Sequence, residues 1–360
     1  MQPPSLRQQC HTIVSGDRPR TAAEDFADMA AWCSANAVSH DTYGEGVLIE
    51  GFQQKIAGLL GFEAGLFTIT GTITQVTALR LACDARGSRH VAMHPSAHIL
   101  KHELANYQLL DHFKALPVGD PMRPWSVDDL RTWPDPLGAI LYELPMREIG
   151  GQLPAWEQLE AVKAHCRAHD IHLHMDGARL WEAGAGFGRP LAQIAAGFDS
   201  VYVSFYKGIG GLGGAMLLGS QKMIDQSRAW VQRQGGNVYR RSPYVVSAAM
   251  RFDARLAAMP ACFRRTQWLY ERLRQHPRLR PNPAAPQSNM LHIHMPIAKE
   301  RAIELRDRIA AEHGVWLFGG ASHAALPGHC YFEWYVGESL LTMPDAQVEQ
   351  VLAWLSTHPE

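Results

Sequence analysis

The segment from Ile171 to Ala183, IHLHMDGARLWEA, decides the fold. Its first half alternates apolar residues with histidines, as a strand does, and it runs into the pair Asp176-Gly177. In parallel α/β sheets, ligands bind outside the carboxyl ends of the strands. A carboxylate held there can bind a metal, a hydroxyl group or a protonated heterocyclic nitrogen. Alternatively, Asp176 is only a turn or helix N-cap residue, since Asp-Gly is common in turns.

Apolar runs of this kind alternate with helix-patterned segments on both sides of it, which predicts an α/β domain with a mostly parallel sheet. Six runs are typical of strands: GLFTIT (from Gly65), HVAMH (from His90), GAILYEL (from Gly138), IHLHMD (from Ile171), SVYVSFY (from Ser200) and GGAMLLG (from Gly213). Buried strands need helices on both faces of the sheet. We expect those helices at Thr72–Ala85, Leu153–His169 and Leu191–Ala196.

The pattern changes after about Gly235, and the remainder predicts a smaller α+β domain. Its expected elements are a helix over Val245–Gln275, the Pro-rich connection PNPAAP, a strand NMLHIHM, a helix over Ala298–His313, strands VWLF and HCYFEWYV, and a helix over Pro344–Leu355. We therefore expect an N-terminal arm (1–20), a large domain (21–240) and a small C-terminal domain (241–360).

Composition excludes several classes of protein. The 34 Lys and Arg residues balance 35 Asp and Glu residues, and the net charge of -1 gives no field that would attract nucleic acid or an anionic membrane. The six cysteines form no C-x-x-C pair, so neither zinc nor a disulfide framework is expected. No uninterrupted apolar stretch approaches the length that crosses a bilayer. These features predict a cytoplasmic protein without metal, nucleic-acid or membrane partners.

Lys207 is the second residue that suggests chemistry. It follows an apolar run in DSVYVSFYKGIGGLGGAMLLG and precedes five glycines. Burial at a strand end lowers the pKa of a lysine and favours the neutral, nucleophilic amine that Schiff-base formation requires. The alternative is a side chain that extends to solvent. The neighbouring glycines favour the first interpretation, because they allow the backbone to approach a ligand or the lysine loop closely.

The third element is Thr70-Gly71-Thr72 in GLFTITGTITQVTAL, where a strand runs into a helix. A small hydroxyl residue and a glycine at a helix N-terminus present free N–H groups to an anion such as phosphate. The simpler alternative is that Thr72 is only the helix N-cap.

A phosphate-binding turn, a carboxylate and a strand-end lysine are the three contacts that pyridoxal phosphate needs. The residues resemble the fold-type I pyridoxal-phosphate enzymes, and specifically the threonine aldolase and β-eliminating lyase family. TYGEGVLIEGFQQKIAGLLGFEAGLFTITGT is similar to the family's Tyr-Gly-Glu segment, helix and phosphate turn, with Thr70 in place of a serine. HMDGARLWEA is close to the family's His-x-Asp-Gly-Ala-Arg-Leu signature and is the most specific match.

The resemblance implies roles for single residues. Asp176 would pair with the pyridine nitrogen, Lys207 would form the Schiff base, and Arg179 would lie near the cofactor and the substrate carboxylate. His98 stands where the family stacks an imidazole on the cofactor ring, and Glu103 matches a glutamate five residues on. The family also implies a homodimer or homotetramer with sites near the subunit boundary, and Tyr43 would lie there.

The histidines around His98 allow a metal site as an alternative. His90, His94, His98 and His102 are four residues apart, but Pro95 interrupts any continuous helix, so they cannot share one regular face. No metal is expected there. His172 and His174, which share one face of a strand, are expected to be hydrogen-bonded core residues.

Two departures from the family pattern limit what the resemblance implies. The family commonly has Glu-Asn-Thr-His-Asn where this chain has Glu143-Leu144-Pro145-Met146-Arg147, so Met146 replaces a histidine and Arg147 an asparagine. HCYFEWYVGES lacks the arginine that grips the substrate carboxylate, which leaves Arg147, Arg179 and Ser15 as candidates. Arg240 and Arg241 both lie near the position of a phosphate-binding arginine.

The expected function is a pyridoxal-phosphate lyase that cleaves the Cα–Cβ bond of β-hydroxy-α-amino acids to glycine and an aldehyde. Its base would be His98, His102 or a bound water. One alternative is β-elimination from another amino acid, with Lys207 removing the α-proton. Another is a binding protein on an inactive lyase scaffold.

Overall fold

The computed structural model describes residues 4–131 and 133–358. The described residues form thirteen strands: β1 (Thr12–Ile13), β2 (Ala64–Thr68), β3 (His90–Met93), β4 (Lys114–Pro117), β5 (Ala139–Glu143), β6 (His172–Gly177), β7 (Ser200–Ser204), β8 (Ala215–Gly219), β9 (Arg280–Asn282), β10 (Met290–Met295), β11 (Val315–Trp316), β12 (Ala321–His323) and β13 (Cys330–Tyr335).

The same residues form fifteen α-helices and one 3-10 turn over Arg147–Ile149. The helices are α1 (Leu6–Gln9), α2 (Ala22–Ala35), α3 (Val47–Leu60), α4 (Gly71–Arg86), α5 (His98–His102), α6 (Asn106–Leu109), α7 (Val127–Leu130), α8 (Trp156–Ala168), α9 (Leu180–Phe187), α10 (Leu191–Ala195), α11 (Gln221–Arg233), α12 (Ser242–Leu273), α13 (Lys299–His313), α14 (Glu338–Thr342) and α15 (Asp345–Thr357). Every one of these helices is too short or too polar to cross a lipid bilayer.

The chain divides into two compact units. The larger comprises Thr21–Glu148 and Leu153–Ala257, and the smaller comprises the described parts of Met1–Arg20, Ile149–Gln152 and Ala258–Glu360. Residues 1–3 of the expected arm and residues 359–360 of the expected C-terminal domain lie outside the described residues.

A seven-stranded mixed sheet forms the centre of the larger unit, in the order β2-β8-β7-β6-β5-β3-β4. Only β8 runs antiparallel to its neighbours, β2 and β7. All six predicted strands lie in this sheet. The seventh, β4, was not predicted because its sequence KALP is short, partly exposed and ends in proline.

Helix α4 shows how local sequence positions the site. It begins one residue before the predicted start, because the hydroxyl of Thr70, and not that of Thr72, caps it by accepting a hydrogen bond from the N–H of Ile73. The alternative interpretation, in which Thr72 is the helix N-cap, was therefore wrong. The buried face of the helix packs Leu79 and Cys83 into a core that includes strand residues of β3 and β5. This packing fixes the helix N-terminus at the end of β2.

The smaller unit contains a four-stranded antiparallel sheet in the order β12-β13-β10-β9 and a two-stranded parallel sheet of β1 and β11. Phe332 and Trp334 pack in its core, and the indole N–H of Trp334 donates to the carbonyl of Leu317. Strand β9 occupies the start of the segment predicted as a connection, and VWLF is extended only over Val315–Trp316. Residues of the N-terminal segment join this unit through β1.

The histidines of β6 are buried, as predicted. His172 Nε2 and His174 Nδ1 each lie 2.7 Å from the same hydroxyl oxygen, that of Ser200. His174 Nε2 has no hydrogen-bond partner among residues 4–131 and 133–358. Burial lowers the pKa of His172 to about 4 and that of His174 to about 3.

These two histidines predict loss of stability in mild acid. An unfolded histidine has a pKa of about 6.5, so below that pH the unfolded chain binds protons that the folded chain does not. The free energy of unfolding should fall as the pH drops from 6.5 towards 4, by on the order of 2 kcal/mol for each histidine at pH 5. Urea unfolding at several pH values measures this slope.

The variant His174→Asn keeps a side chain that can bond Ser200 but cannot titrate in this range, and it should show a shallower slope. His323→Gln, at an exposed position of β12, is the matched control and should keep the wild-type slope. Equal slopes for wild type and His174→Asn would contradict the assignment.

Candidate active site

The site lies in the larger unit, at the ends of three adjacent strands. Glu143 is the last residue of β5 and stands in register with Asp176, the penultimate residue of β6. Lys207 follows β7 by three residues. One pocket joins these positions, lined by His98, Glu143, Pro145, Arg147, Glu148, Asp176, Ala178, Arg179 and Lys207. The parallel direction of the strands therefore brings the predicted carboxylate and the predicted lysine together.

Asp176 is held in a fixed orientation. It is 1% exposed, and its Oδ2 atom accepts a hydrogen bond of 2.9 Å from the side-chain amide of Gln75 in α4. Its Oδ1 atom accepts from the N–H of Ala178 at 3.0 Å. The sequence analysis did not identify Gln75, although a polar residue on the apolar face of α4 was a signal that could have revealed it. Two neutral donors hold the carboxylate without cancelling its charge.

Lys207 is positioned by an aromatic anchor. Phe205, two residues earlier, is fully buried and stacks on Phe67 and Trp181. Gly214 permits this packing, since a Cβ atom at that position, where φ is +96°, would collide with the ring of Phe67. The need for a glycine at position 214 is therefore explained by close approach of the backbone to the ring of Phe67, and not by contact with a ligand.

The pKa of Lys207 is lowered to about 8. Burial is the largest cause, and the nearby Arg179 guanidinium lowers it further, whereas Asp176 and Glu143 raise it. A pKa near 8 leaves a substantial fraction of neutral amine at physiological pH, as a nucleophilic lysine requires.

Glu143 is a second buried carboxyl group at this pocket. Its Oε1 atom accepts a hydrogen bond of 3.0 Å from the backbone N–H of Arg147, while its Oε2 atom is buried without a hydrogen-bond partner in the described part of the chain. Burial and the charge of Asp176 raise the pKa of Glu143. The sequence placed Glu143 near the end of a predicted strand and matched it to a glutamate of the family motif, but assigned it no role.

Two histidine–carboxylate pairs lie at or beside this pocket. His98 Nδ1 is 3.2 Å from Glu103 Oε1, and His102 Nε2 is 3.0 Å from Glu148 Oε1. The two imidazole rings are 5.0 Å apart. Arg147 Nη1 donates to the same Glu148 oxygen at 2.7 Å. The predicted residues His98 and Arg147 are thereby joined through His102 and Glu148.

Arg179 supplies a second cation to the pocket. It is partly buried, and its Nε atom is shielded from solvent without a hydrogen-bond partner among residues 4–131 and 133–358.

Met146, which replaces the family's histidine, is fully buried and is absent from the described pocket lining.

The Thr70-Gly71-Thr72 turn adjoins the site but is outside the described pocket lining. A Cβ atom at Gly71 would collide with the hydroxyl and ring of Tyr202. The Tyr202 hydroxyl oxygen is 3.3 Å from that of Tyr206, whose ring centroid is 5.7 Å from Lys207 Nζ. Both tyrosines were missed, because their alternation along SVYVSFY does not reveal which face meets α4.

The two candidate phosphate arginines are engaged with the protein itself. Arg241 is buried, and its guanidinium donates to the carbonyl of Phe67 at 2.7 Å and to Asn237 Oδ1 at 2.7 Å. Arg240 donates to the carbonyl of Asp41 and to the Thr42 hydroxyl. Neither arginine lies in the described pocket lining.

Two other predicted residues lie elsewhere. Tyr43 is exposed and packs edge-on against Tyr239, with ring centroids 5.2 Å apart. Ser15 belongs to the smaller unit, where its hydroxyl accepts from the N–H of Tyr335. Among the described residues, no group of three or more histidine, cysteine or acidic side chains is arranged to hold a metal ion.

Comparison with known proteins decides the family. The sequence model of the beta-eliminating lyases matches residues 21–296. The chain belongs to the beta-eliminating lyase family. This membership confirms the resemblance inferred from HMDGARLWEA, and the expected cofactor, pyridoxal phosphate, is the cofactor of this family.

Relatives include low-specificity L-threonine aldolases from Eremothecium gossypii and Saccharomyces cerevisiae, each 29% identical. The first match covers 67% of this chain and 65% of the relative, the second 63% and 60%. The chain thus spans less than two thirds of the length of these curated relatives.

Solved structures match over nearly the whole chain. A Listeria monocytogenes protein provisionally described as an L-allo-threonine aldolase is 34% identical, with a TM-score of 0.91, and the match covers 98% of this chain and 97% of that one. Leishmania major threonine aldolase is 18% identical with a TM-score of 0.75, covering 97% and 100%. These structures confirm the predicted fold-type I architecture.

The residues of the pocket fit the family's cofactor. Asp176 is a buried carboxylate suited to a protonated pyridine nitrogen, and Lys207 is an amine with a lowered pKa. Glu143 Oε2 and Arg179 Nε are buried polar atoms that a bound polar molecule would satisfy.

The contact of Gly71 with Tyr202 predicts that Gly71→Ala destabilises the protein by roughly 1–3 kcal/mol, because the added methyl group must displace a buried ring. Urea unfolding followed by circular dichroism measures this. Gly51→Ala is the matched control, since Gly51 lies in α3 with open space around its Cβ position. It should be neutral or stabilising by up to about 1 kcal/mol. Equal destabilisation of both variants would contradict the account.

Proposed function

We propose that this protein is a pyridoxal-phosphate lyase that cleaves the Cα–Cβ bond of β-hydroxy-α-amino acids to glycine and an aldehyde. The observation that carries the proposal is the shared pocket of Asp176 and Lys207, with burial lowering the pKa of the lysine to about 8. Relatives named as low-specificity L-threonine aldolases support the bond and the substrate class.

Three residues would hold the cofactor's ring in this proposal. Asp176 would accept a hydrogen bond from the protonated pyridine nitrogen, and Lys207 would supply the amine for the Schiff base. The imidazole of His98, oriented by Glu103, would stack on the ring. Pyridoxal phosphate, when bound, withdraws electrons from the substrate's α-carbon. Thr70, Gly71 and Thr72 would present the N-terminus of α4 to its phosphate, with Arg240 or Arg241 as a further contact.

Arg147 and Arg179 are the proposed partners of the substrate carboxylate, because both line the pocket. A guanidinium group can bind a carboxylate through two parallel hydrogen bonds. Ser15, the third candidate, already accepts a hydrogen bond from the backbone of β13. We therefore assign it less weight than the two arginines.

The proton of the β-hydroxyl group needs an acceptor. His98 and His102 are the available imidazoles, and each is oriented by a neighbouring carboxylate. A water bound between them could serve instead. The fully buried Met146 cannot take this role, since a thioether is not a base.

One observation keeps β-elimination as a second candidate. The family's histidine is absent at Met146, and the lowered pKa of Lys207 also suits removal of an α-proton. In that reaction a β-substituent leaves, and the products include ammonia and a keto acid. A non-catalytic binding protein is a third possibility, which the retention of Asp176 and Lys207 disfavours.

Product analysis distinguishes these functions. The protein with pyridoxal phosphate should convert threonine, allo-threonine or phenylserine to glycine and the corresponding aldehyde, and Lys207→Ala should lower the rate by roughly 1000-fold or more, since it removes the nucleophile. Lys222→Ala, at an exposed position of α11, is the matched control and should retain the rate. Ammonia and a keto acid without glycine would contradict aldol cleavage.

We also propose a cytoplasmic homodimer or homotetramer with Tyr43 near the subunit boundary. Tyr43, Val47 and Tyr239 are large apolar side chains that are more than half exposed, which suits a contact with a second copy. The six cysteines are free, in keeping with a reducing compartment. A monomer in sedimentation equilibrium at micromolar concentration would contradict the assembly.

A further inference from the structure

Two carboxyl groups face the same pocket from neighbouring strands but are bonded differently. Both oxygens of Asp176 accept hydrogen bonds, from Gln75 and from the N–H of Ala178. Glu143 accepts only one, at Oε1, and its Oε2 atom is buried without a partner in the described part of the chain. A carboxylate with both oxygens bonded is stabilised in its charged form, whereas an unbonded buried oxygen is not.

Two carboxyl groups buried side by side repel each other when both are charged, so one of them holds a proton, and their environments decide which one. The groups around Glu143 are Asp176 on β6, Lys207 after β7, His98 on α5, and Arg147, Glu148 and Arg179 on the remaining pocket wall. None of the described cations bonds to Glu143 Oε2. The proton therefore belongs on Glu143, and a protonated carboxyl group becomes a hydrogen-bond donor.

We propose that Glu143 is protonated in the resting protein and donates a hydrogen bond from Oε2 to an anionic oxygen of the bound molecule. Two molecules can supply that oxygen: the cofactor, through its phenolate, or the substrate, through its carboxylate. Glu143 would thus be a neutral donor in a pocket that also holds the guanidinium groups of Arg147 and Arg179. The proton stays within the hydrogen bond, and no covalent bond changes.

The direction of titration agrees with this geometry. Burial is the largest cause that raises the pKa of Glu143, and the charge of Asp176 raises it further. The N–H of Arg147, Lys207 and His98 act in the opposite direction. Binding of an anionic oxygen beside the protonated group should stabilise the protonated form further.

The inference rests on the cofactor of the family and not on aldol cleavage. It is tested by cofactor affinity, so a failure to form glycine leaves the test intact.

Apoprotein is titrated with pyridoxal phosphate from pH 6 to pH 9, and tryptophan fluorescence gives the dissociation constant. The variants are Glu143→Gln, which keeps a donor but cannot titrate, and Glu143→Leu, which removes the donor.

At pH 6 we expect Glu143→Gln to bind within about threefold of wild type and Glu143→Leu to bind about tenfold more weakly or worse, the effect of one lost donor. Between pH 6 and pH 9, wild type should weaken relative to Glu143→Gln by about tenfold, because only wild type loses its donor by deprotonation. Lys207 titrates in both proteins, so its contribution to the pH dependence cancels in this comparison. Glu157→Gln is the matched control: it removes an exposed carboxylate in the first turn of α8, outside the pocket lining, and its affinity should follow the wild-type pH dependence.

A second series with glycine added identifies the acceptor. A pH-dependent difference between wild type and Glu143→Gln with pyridoxal phosphate alone assigns the phenolate, and a difference that needs glycine assigns the carboxylate. Equal pH dependence in both series would overturn the proposal.

Infrared difference spectroscopy of the apoprotein reads the proton directly. A carbonyl band of a protonated carboxyl group should be present at pH 7 in wild type and in Glu157→Gln, and absent in Glu143→Gln. Absence of that band in folded wild type would overturn the proposal even if no variant bound the cofactor.

Discussion

The parallel pairing of β5, β6 and β7 is the constraint on which the site depends. Because these strands run in one direction, Glu143, Asp176 and the loop that carries Lys207 all reach the same edge of the sheet. The register of β5 against β6 then sets Glu143 directly beside Asp176. A shift of one residue would move Asp176 to the other face of the sheet.

Burial and hydrogen bonding give these groups their chemistry. Asp176 is stabilised by two neutral donors, Lys207 loses basicity through desolvation and the nearby Arg179, and Glu143 is left with one unbonded oxygen. Opposite charges in the pocket limit the cost of burying each one. The aromatic packing of Phe205 keeps the lysine loop in place.

The sequence predicted those parts of the site that depend on strand ends. Asp176 and Lys207 each close an apolar run, and parallel topology brings such ends together whatever the details of packing. Gln75 and Tyr202 could not be assigned in this way, because their roles depend on which face of a helix or strand meets the next element. Glu143 also lies at a strand end, but its role depends on its register beside Asp176, which the sequence does not specify. Strand β4 escaped prediction because an edge strand needs no apolar run. The sequence could not distinguish Arg240 from Arg241, because their positions are set by contacts with residues distant in the chain, Asp41 and Phe67.

The central claim is that desolvation beside Asp176 makes Lys207 the one amine that reacts with the cofactor. The direct test is to reduce the complex of the protein and pyridoxal phosphate with borohydride and to map the modified peptides by mass spectrometry. The account predicts modification at Lys207, at close to one group per chain, while the exposed lysines remain unmodified at equal cofactor concentration. Modification spread over the exposed lysines, with Lys207 unmodified, would contradict it.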